Sequence, residues 1–221
     1  MSKLLLPQDR KFCRFPFPDE RDRKFRLRPV ASLRTSRYWR DTSWNPDQGS
    51  EPSCVGFGAA QWLAASPISQ FLDPTGLYQL ATYVDEWRGD WRDYAGTSVR
   101  AVMKVLQDLG CIVEYRWETK IAPLVQHVLE RGPVLLGTVW TVDMCYPDKQ
   151  GLIHATGEVY GGHCFLWSGV NTSTGMGRIH NSWSNDWGDN GHAYLSLKDL
   201  QFLLDQDGEA CAGIERKPAA A

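Results

Sequence analysis

The sequence predicts an α+β protein in which a helical part packs against a twisted antiparallel sheet. Between residues 54 and 131 apolar residues recur at helical spacing, and after Pro133 the runs become β-branched and strand-like. The chain has 221 residues, of which 43% are hydrophobic. This is enough for one domain, or for two lobes that share a cleft.

Four helices are expected before Pro133. The first runs from Cys54 to about residue 65 and is apolar nearly all round, which predicts a buried helix, although Gly56 and Gly58 weaken it locally. The other three are expected at residues 75–87, 98–109 and 121–131. Strands are expected at residues 134–142, 164–170, 177–181 and 192–196, before a last helix at 198–204 and a polar tail.

A basic arm precedes the first helix. Residues 1–45 are expected to be extended, because Arg14-Phe-Pro-Phe-Pro18 cannot form the interior of a helix. Residues 1–40 contain 12 Lys and Arg against 4 Asp and Glu, whereas the whole chain has a net charge of −2. Such an arm either wraps the acidic remainder of its own chain or binds nucleic acid or another anionic surface. Its aromatic residues favour the first alternative, because they would be buried there. We divide the chain into this arm, residues 1–37, and a main domain, residues 38–221.

The six cysteines predict neither disulfides nor a metal site. They are widely scattered, include no Cys-x-x-Cys pair and form no Cys/His pair at ligand spacing, so we expect free thiols and no metal or cofactor. The first seven residues contain only three consecutive apolar residues, too few for the core of a signal peptide, and no later stretch could span a membrane. We therefore expect a reducing, cytoplasmic environment.

Three short segments, far apart in the chain, carry the residues that acyl-transfer chemistry at a thiol requires. They are Gln48-Gly-Ser-Glu-Pro-Ser-Cys54, Gly161-Gly-His-Cys164 and His180-Asn-Ser-Trp183, the last followed by Asp186-Trp-Gly-Asp-Asn-Gly191. A nucleophilic cysteine must be a thiolate, and a helix N-terminus or an imidazolium partner lowers its pKa. Cys54 begins the first predicted helix, where the helix dipole favours a thiolate.

These segments resemble the papain-like cysteine peptidases over residues 38–205, especially the shorter bacterial and phage members. That family has a Gln-Gly-x-x-x-Ser-Cys segment around its nucleophile and an Asn-Ser-Trp-x-x-x-Trp-Gly run further on, and both are present here. The resemblance implies a two-lobe fold, with a helical lobe packed against an antiparallel β-sheet lobe and the active site in the cleft between them. It also implies a peptide or protein substrate.

The resemblance assigns roles to individual residues. Cys54 would be the nucleophile, His163 its general base and acid, and Asn181 the amide that orients the imidazole. The side-chain amide of Gln48 and the backbone N–H of Cys54 would form the oxyanion hole. Trp183 would shield the bond between histidine and asparagine from water. Three further residues would contact the substrate: Gly162, Cys164 and Trp187.

Three positions depart from the family's usual pattern. Glu51 stands where secreted members have a disulfide-forming cysteine, Val55 replaces the aromatic residue after the nucleophile, and Gly162 replaces the aspartate before the histidine. The separations of 109 residues from Cys54 to the histidine and 127 to the asparagine are shorter than in the larger plant and lysosomal enzymes. Since the pocket loops lie in that interval, the substrate preference stays open.

Three functions fit these residues. The first is a thiol peptidase that hydrolyses peptide bonds through an acyl-enzyme, with the arm as a short pro-like segment that packs across or partly covers the cleft. The second is another acyl transfer at the same thiol, such as isopeptidase, aminopeptidase or amidase activity. The third is a papain-fold structural or adaptor protein, for example a virion-associated component of a phage particle. Nucleic-acid binding through the basic arm would favour this third function.

Overall fold

The computed structural model of the protein describes residues 9–16, 19–40, 44–86 and 95–215. Within these ranges it contains five α-helices: α1 (Cys54–Ala64), α2 (Pro74–Val84), α3 (Val99–Asp108), α4 (Ile121–Glu130) and α5 (Leu197–Asp205). The same ranges contain seven β-strands: β1 (Ser36–Tyr38), β2 (Ile112–Glu118), β3 (Val134–Thr141), β4 (Val159–Asn171), β5 (Met176–His180), β6 (His192–Ser196) and β7 (Glu209–Glu215). The expected α+β class is confirmed.

The seven strands form one antiparallel sheet. Six of them follow the order β2-β7-β3-β4-β5-β6, and the short strand β1 pairs with the end of β4. β4 is the longest strand, and it pairs with β3 along its first part and with β5 towards its end. The sheet is therefore organised around β4, which also carries the second of the three predicted site segments.

The sheet separates two hydrophobic cores, because successive side chains of a strand point to opposite faces. On β3 and β4, Leu135 and Leu166 face a core that is covered by α1, α2 and α3. Their neighbours Leu136 and Phe165 belong to a second core, to which α4 and α5 contribute. The helical layer expected against the sheet is thus formed by the first three helices, while the last two pack on the other face.

Helix α1 is buried on every side, as its composition predicts. All 11 of its residues are buried, and its two glycines lie where other elements approach the helix backbone. A Cβ atom on Gly56 would lie 2.3 Å from the carbonyl oxygen of Pro74 in α2, and one on Gly58 would lie 3.0 Å from the sulfur of Cys164 in β4. The glycines cost helix propensity but allow α2 and β4 to pack closely on α1.

The helices lie within a few residues of their predicted positions, and the predicted end of α2, at Trp87, falls outside the described residues. Three expectations about strands are wrong. β2 lies between α3 and α4, in a region where only helices are expected. β4 begins at Val159 rather than at residue 164, because Gly161 and Gly162 lack the side chains by which strands are recognised. The segment expected to be a polar tail contains β7, which pairs with β2 and β3 inside the sheet. β7 was missed because its buried positions are small residues with weak strand preference.

The described part of the N-terminal arm lies against its own acidic body, which is one of the two alternatives that the charge pattern allows. Three arm arginines form ion pairs with body carboxylates: Arg10 with Asp47, Arg14 with Glu209 and Arg34 with Glu130. The aromatic residues near the N-terminus are expected to be buried, and this holds only in part. Trp39 is buried, Phe12 and Phe15 are half-buried, and Phe25 and Tyr38 are exposed. Phe17 lies outside the described residues.

The cysteines are free thiols, as expected. Cys13 and Cys111 are half-buried, and the other four cysteines are buried. Among the described residues, no helix combines the length and the apolar character that a membrane crossing needs.

Replacing Gly56 with alanine is expected to destabilise the fold, because the new methyl group would meet backbone atoms of α2. We expect the free energy of unfolding to fall by about 1–3 kcal/mol, the usual cost of overpacking a core. Gly132→Ala is the matched control, since a Cβ atom there would meet only Pro67, at 3.5 Å. Urea unfolding followed by tryptophan fluorescence measures both variants. Equal stability of the two would contradict the close packing of α1 on α2.

Candidate active site

The thiol of Cys54 is buried where α1 meets β4. Cys54 is the first residue of α1 and has no exposed surface. Its sulfur lies within hydrogen-bonding reach of the backbone of Cys164, the residue that follows His163 in β4, and of the backbone of Cys13 in the arm. The packing of α1 on the sheet therefore brings the first site segment to the strand that carries the second.

A buried hydrogen bond joins His163 and Asn181. His163 Nε2 and Asn181 Oδ1 are 2.8 Å apart. The backbone N–H of Ser182 also donates to Asn181 Oδ1, at 2.8 Å, which identifies this atom as the amide oxygen. An amide oxygen only accepts, so Nε2 carries the proton and Nδ1 of the neutral ring carries a lone pair. Nδ1 has no hydrogen-bond partner among the described residues, so it is available to take a proton.

Tryptophan rings enclose this histidine. The ring centroids of Trp140 and Trp183 lie 4.8 and 5.2 Å from that of the His163 imidazole. Trp187 packs on Trp183 at 5.5 Å and donates its indole N–H to the carbonyl oxygen of Cys145 at 3.1 Å. Trp183 is thus placed to exclude water from the imidazole. Trp187 is 8% exposed and belongs to the core, so it supports Trp183 from behind.

Gln48 is held in one orientation by two hydrogen bonds. Its Oε1 accepts from the hydroxyl of Ser182 at 2.6 Å, and its Nε2 donates to the carbonyl oxygen of Glu51 at 2.9 Å. Since an amide nitrogen carries two hydrogens, Nε2 retains one N–H for another acceptor. Ser182 was not singled out in the sequence, although its place between Asn181 and Trp183 is a signal. It ties the first site segment to the third.

The other two predicted substrate contacts flank the histidine on β4. The carbonyl oxygen of Gly162 accepts a hydrogen bond from the backbone N–H of Arg14 in the arm at 2.9 Å. A Cβ atom on Gly162 would lie 2.0 Å from the Arg14 carbonyl oxygen, so glycine permits this close approach. Cys164 is fully buried, with its sulfur against Gly58 of α1. Its backbone lies within hydrogen-bonding reach of the Cys54 sulfur, and its side chain belongs to the core.

The N-terminal arm crosses the site. The ring of Phe12 lies 5.8 Å from the imidazole of His163 and 5.8 Å from the indole of Trp183. The guanidinium of Arg10 lies 4.8 Å from the same indole ring. Together with the backbone of Cys13 beside the Cys54 sulfur, these side chains cover the thiol and the imidazole.

Burial keeps the thiol and the imidazole uncharged. It raises the pKa of Cys54 to about 12, and the backbone of Cys164 offsets only part of this effect. Burial also lowers the pKa of His163 to about 4, against the opposing effect of the hydrogen bond to Asn181. With the arm in place, the site at neutral pH therefore holds a neutral thiol and a neutral imidazole, not an ion pair.

Solved structures of cysteine proteases have the same fold. Xylellain, a cysteine protease from Xylella fastidiosa, matches with a TM-score of 0.77 and 18% sequence identity, covering 96% of this chain and 100% of that chain. Procathepsin L 3 from the larval midgut of Tenebrio molitor gives a TM-score of 0.63 at 16% identity, over 93% of this chain and 76% of that chain. The stem bromelain precursor gives a TM-score of 0.60 at 14% sequence identity, over 93% of this chain and 76% of that chain. The papain-like α+β fold is confirmed.

A curated relative matches part of the sequence. Cathepsin B of Dictyostelium discoideum is 36% identical over 72 residues, which are 31% of this chain and 22% of the relative. The match thus spans less than a quarter of the relative's length. No protein-family model matches the chain. The fold is therefore shared with cysteine proteases at low sequence identity.

We expect Cys54 to react slowly with iodoacetamide in the intact chain. Its raised pKa leaves almost no thiolate at neutral pH, and the arm shields the sulfur. Alkylation of Cys54 should be slower than that of the half-buried Cys111 at pH 6–8, as measured by peptide mass spectrometry over time. Rapid alkylation of Cys54 that is independent of pH in this range would show that a thiolate–imidazolium pair already exists beneath the arm.

Proposed function

We propose that this protein is a cysteine-type peptidase that hydrolyses peptide bonds through a thioester acyl-enzyme. The observation that carries the proposal is the state of His163, whose Nε2 is bound to Asn181 while Nδ1 has no partner. The same buried region holds the thiol of Cys54 at a helix N-terminus. The fold shared with known cysteine proteases supports the proposal. The substrate is a peptide or protein.

In the first half of the reaction, the sulfur of Cys54 bonds to the carbonyl carbon of the substrate while its proton passes to Nδ1 of His163. Negative charge develops on the carbonyl oxygen, which accepts hydrogen bonds from Gln48 Nε2 and from the backbone N–H of Cys54. The carbon–nitrogen bond then breaks, and the leaving amine takes the proton from His163. A thioester remains on the enzyme.

In the second half, water bonds to the thioester carbon and gives a proton to Nδ1 of His163. The carbon–sulfur bond breaks, the carboxylic acid leaves, and the proton returns to the sulfur of Cys54. Nε2 keeps its proton throughout, so Asn181 orients the ring in both protonation states. The rings of Trp140 and Trp183 exclude water from that hydrogen bond.

The N-terminal arm, residues 1–37, is proposed to act as a short pro-like segment that covers the cleft. Two parallel backbone bridges support this role, one between Cys13 and Gly162 and one between Arg14 and Thr97. A substrate cannot reach the thiol while this stretch of the arm lies beside it. Displacement of the arm would admit both substrate and water, and so would remove the burial that keeps the thiol neutral.

The other two functions differ in what they predict. Isopeptidase, aminopeptidase or amidase activity would use the same residues, and product analysis on peptides with blocked and with free termini separates them from an endopeptidase. A structural or adaptor role requires no activated thiol, so Cys54 would stay unreactive even when the arm is loosened. Binding of nucleic acid through the arm would in addition weaken steeply with added salt.

The peptidase proposal predicts that, once Phe12→Ala has loosened the arm, an irreversible thiol-protease epoxide labels Cys54 selectively and that labelling requires His163. Hydrolysis of a mixed pool of fluorogenic peptides should be lost in Cys54→Ala, whereas Cys111→Ala, the control for loss of a thiol, should keep it.

Gln48→Ala should lower kcat by about 10²–10³, as expected for the loss of one oxyanion-hole donor. Hydrolysis that survives Cys54→Ala, or slow and equal labelling of several cysteines, would refute the assignment.

Loosening the arm should raise activity. Phe12→Ala removes the ring that covers His163, and we expect kcat/KM for peptides to rise by about 10-fold, the effect of roughly 1.4 kcal/mol of lost arm contact. Phe25→Ala is the matched control, because this arm residue is 52% exposed and is absent from the contacts around the thiol and imidazole. Steady-state kinetics on the full chain measures both. Equal activity of the two variants would mean that the arm does not limit access.

A further inference from the structure

A glutamine side chain is buried in the helix that begins at Cys54. Gln61 is 2% exposed, and its neighbours in α1 are alanine, tryptophan and leucine. An amide in an apolar environment costs free energy unless it forms hydrogen bonds. Leucine or methionine would fill a similar volume with similar helix propensity. The packing of α1 alone therefore does not explain a glutamine at this position.

The amide of Gln61 reaches out of the helix to the third site segment. Its Nε2 donates to the backbone carbonyl oxygen of Asn181 at 2.9 Å, and both residues are buried. A carbonyl oxygen only accepts, so the amide nitrogen must be the atom that faces it. Gln61 Oε1 has no hydrogen-bond partner among the described residues. Within that part of the chain, the bond to Asn181 is the hydrogen bond that this amide forms.

The position of Gln61 along α1 relates it to Cys54. Gln61 follows Cys54 by seven residues, which is close to two turns of an α-helix, or about 10 Å along its axis. Residues at this spacing lie on one face of a helix. Between them is Gly58, where a Cβ atom would lie 3.0 Å from the sulfur of Cys164 in β4. The face of α1 that packs on β4 therefore carries Cys54 at its start and Gln61 two turns later.

The main chain of Asn181 is held from two sides. Its N–H donates to the carbonyl oxygen of Gly191, the residue before β6, at 2.9 Å, and its carbonyl oxygen accepts from Gln61. Its side-chain Oδ1 accepts from His163 Nε2 and from the backbone N–H of Ser182, both at 2.8 Å. Because the direction of a side chain follows from its backbone, the bond from Gln61 also restrains the bond between Asn181 and His163.

Through Gln61, one helix bears on both partners of the imidazole. The packing of α1 on β4 fixes Cys54 relative to His163, but Asn181 follows β5 and needs a restraint of its own. The bond from Gln61 supplies one from the same rigid helix. Such restraints matter for a reaction, since a displacement of about 1 Å between reacting groups can cost about 10²-fold in rate.

We propose that Gln61 is a positioning residue for the reaction at Cys54. By holding the main chain of Asn181, it keeps Asn181 Oδ1 on Nε2 of His163 and leaves Nδ1 turned to take the proton of the thiol. Gln61 is buried and acts only through Asn181. This inference rests on the proposed peptidase function, but the hold of Gln61 on the bond between Asn181 and His163 is measurable without turnover.

The first experiment measures how fast the His163 Nε2 proton exchanges with solvent. NMR on the full chain with isotope-labelled histidine follows this proton, and His163→Gln identifies its signal among the five histidines. Gln61→Met keeps the length of the side chain and removes the donor. The bond between Asn181 and His163 should then open more often. We expect exchange about 10-fold faster than in the unaltered chain, as for the loss of one buried hydrogen bond.

Trp62→Phe is the matched control. Trp62 is the next residue of α1, and its indole N–H donates to the carbonyl oxygen of Pro133, just before β3, at 3.0 Å. This variant also loses a buried donor to a main-chain carbonyl, so it reports a general loosening of α1. Exchange at His163 should stay as in the unaltered chain. Equal acceleration in both variants, unchanged exchange in Gln61→Met, or no protected proton on His163 of the unaltered chain would each overturn the proposal.

If Gln61→Met fails to fold, Gln61→Glu takes its place. A carboxylic acid donates to the Asn181 carbonyl oxygen while it is protonated and cannot do so once it is ionised. The exchange rate at His163, relative to the unaltered chain at the same pH, should therefore be near unity at low pH and rise as the carboxyl ionises. A ratio that does not change with pH would contradict the proposal.

The second experiment measures peptide hydrolysis in the chain whose arm is loosened by Phe12→Ala. Adding Gln61→Met should lower kcat by about 10- to 100-fold with little change in KM, because a positioning residue does not bind substrate. Adding Trp62→Phe should leave both constants close to those of Phe12→Ala alone.

The two experiments separate the two proposals. Faster exchange in Gln61→Met without cleavage of any peptide by any variant refutes the peptidase function and leaves the hold of Gln61 on Asn181 standing. Cleavage with an unchanged kcat in Gln61→Met, or an equal fall of kcat in Trp62→Phe, supports the peptidase and refutes the positioning role of Gln61.

Discussion

The packing of α1 against β3 and β4 is the constraint on which the site depends. A helix that is buried on every side cannot rotate or slide without opening both of its interfaces, so the position of its first residue is fixed relative to the strands. Gly58 allows the close approach, with Leu135 and Cys164 directly against it. Cys54 is thereby held at the strand that carries His163. Core packing, and not the conformation of a surface loop, sets the relation between Cys54 and His163.

The burial that fixes these residues also opposes the charges that catalysis needs. A thiolate and an imidazolium are both disfavoured in a water-excluded site, and here the last layer of that exclusion is the arm. The rings of Trp140 and Trp183 come from the body, so they would continue to shield the bond between His163 and Asn181 after the arm has left. Under the proposed function, displacement of the arm therefore exposes the thiol of Cys54 to water, while the hydrogen bond to Asn181 still orients the imidazole of His163.

Much of the fold and site follows from local patterns in the sequence. The helix that starts at Cys54 is recognisable because its apolar character is continuous, and the segments of Gln48, His163 and Asn181 each carry a short motif. The sequence could not predict features that depend on side chains brought together by strand pairing. Glu209 lies in a segment that resembles a polar tail, and only its pairing with Gly137 in β3 brings it into the sheet beside Arg14.

The described part of the arm gives one physical account of the uneven charge of the chain, because its basic side chains pair with carboxylates of the body. Main-chain hydrogen bonds and side chains such as Phe12 and Arg14 together hold the arm on the site. Its attachment to the body adds an effective concentration that a free peptide lacks, so modest contacts are enough to keep it bound.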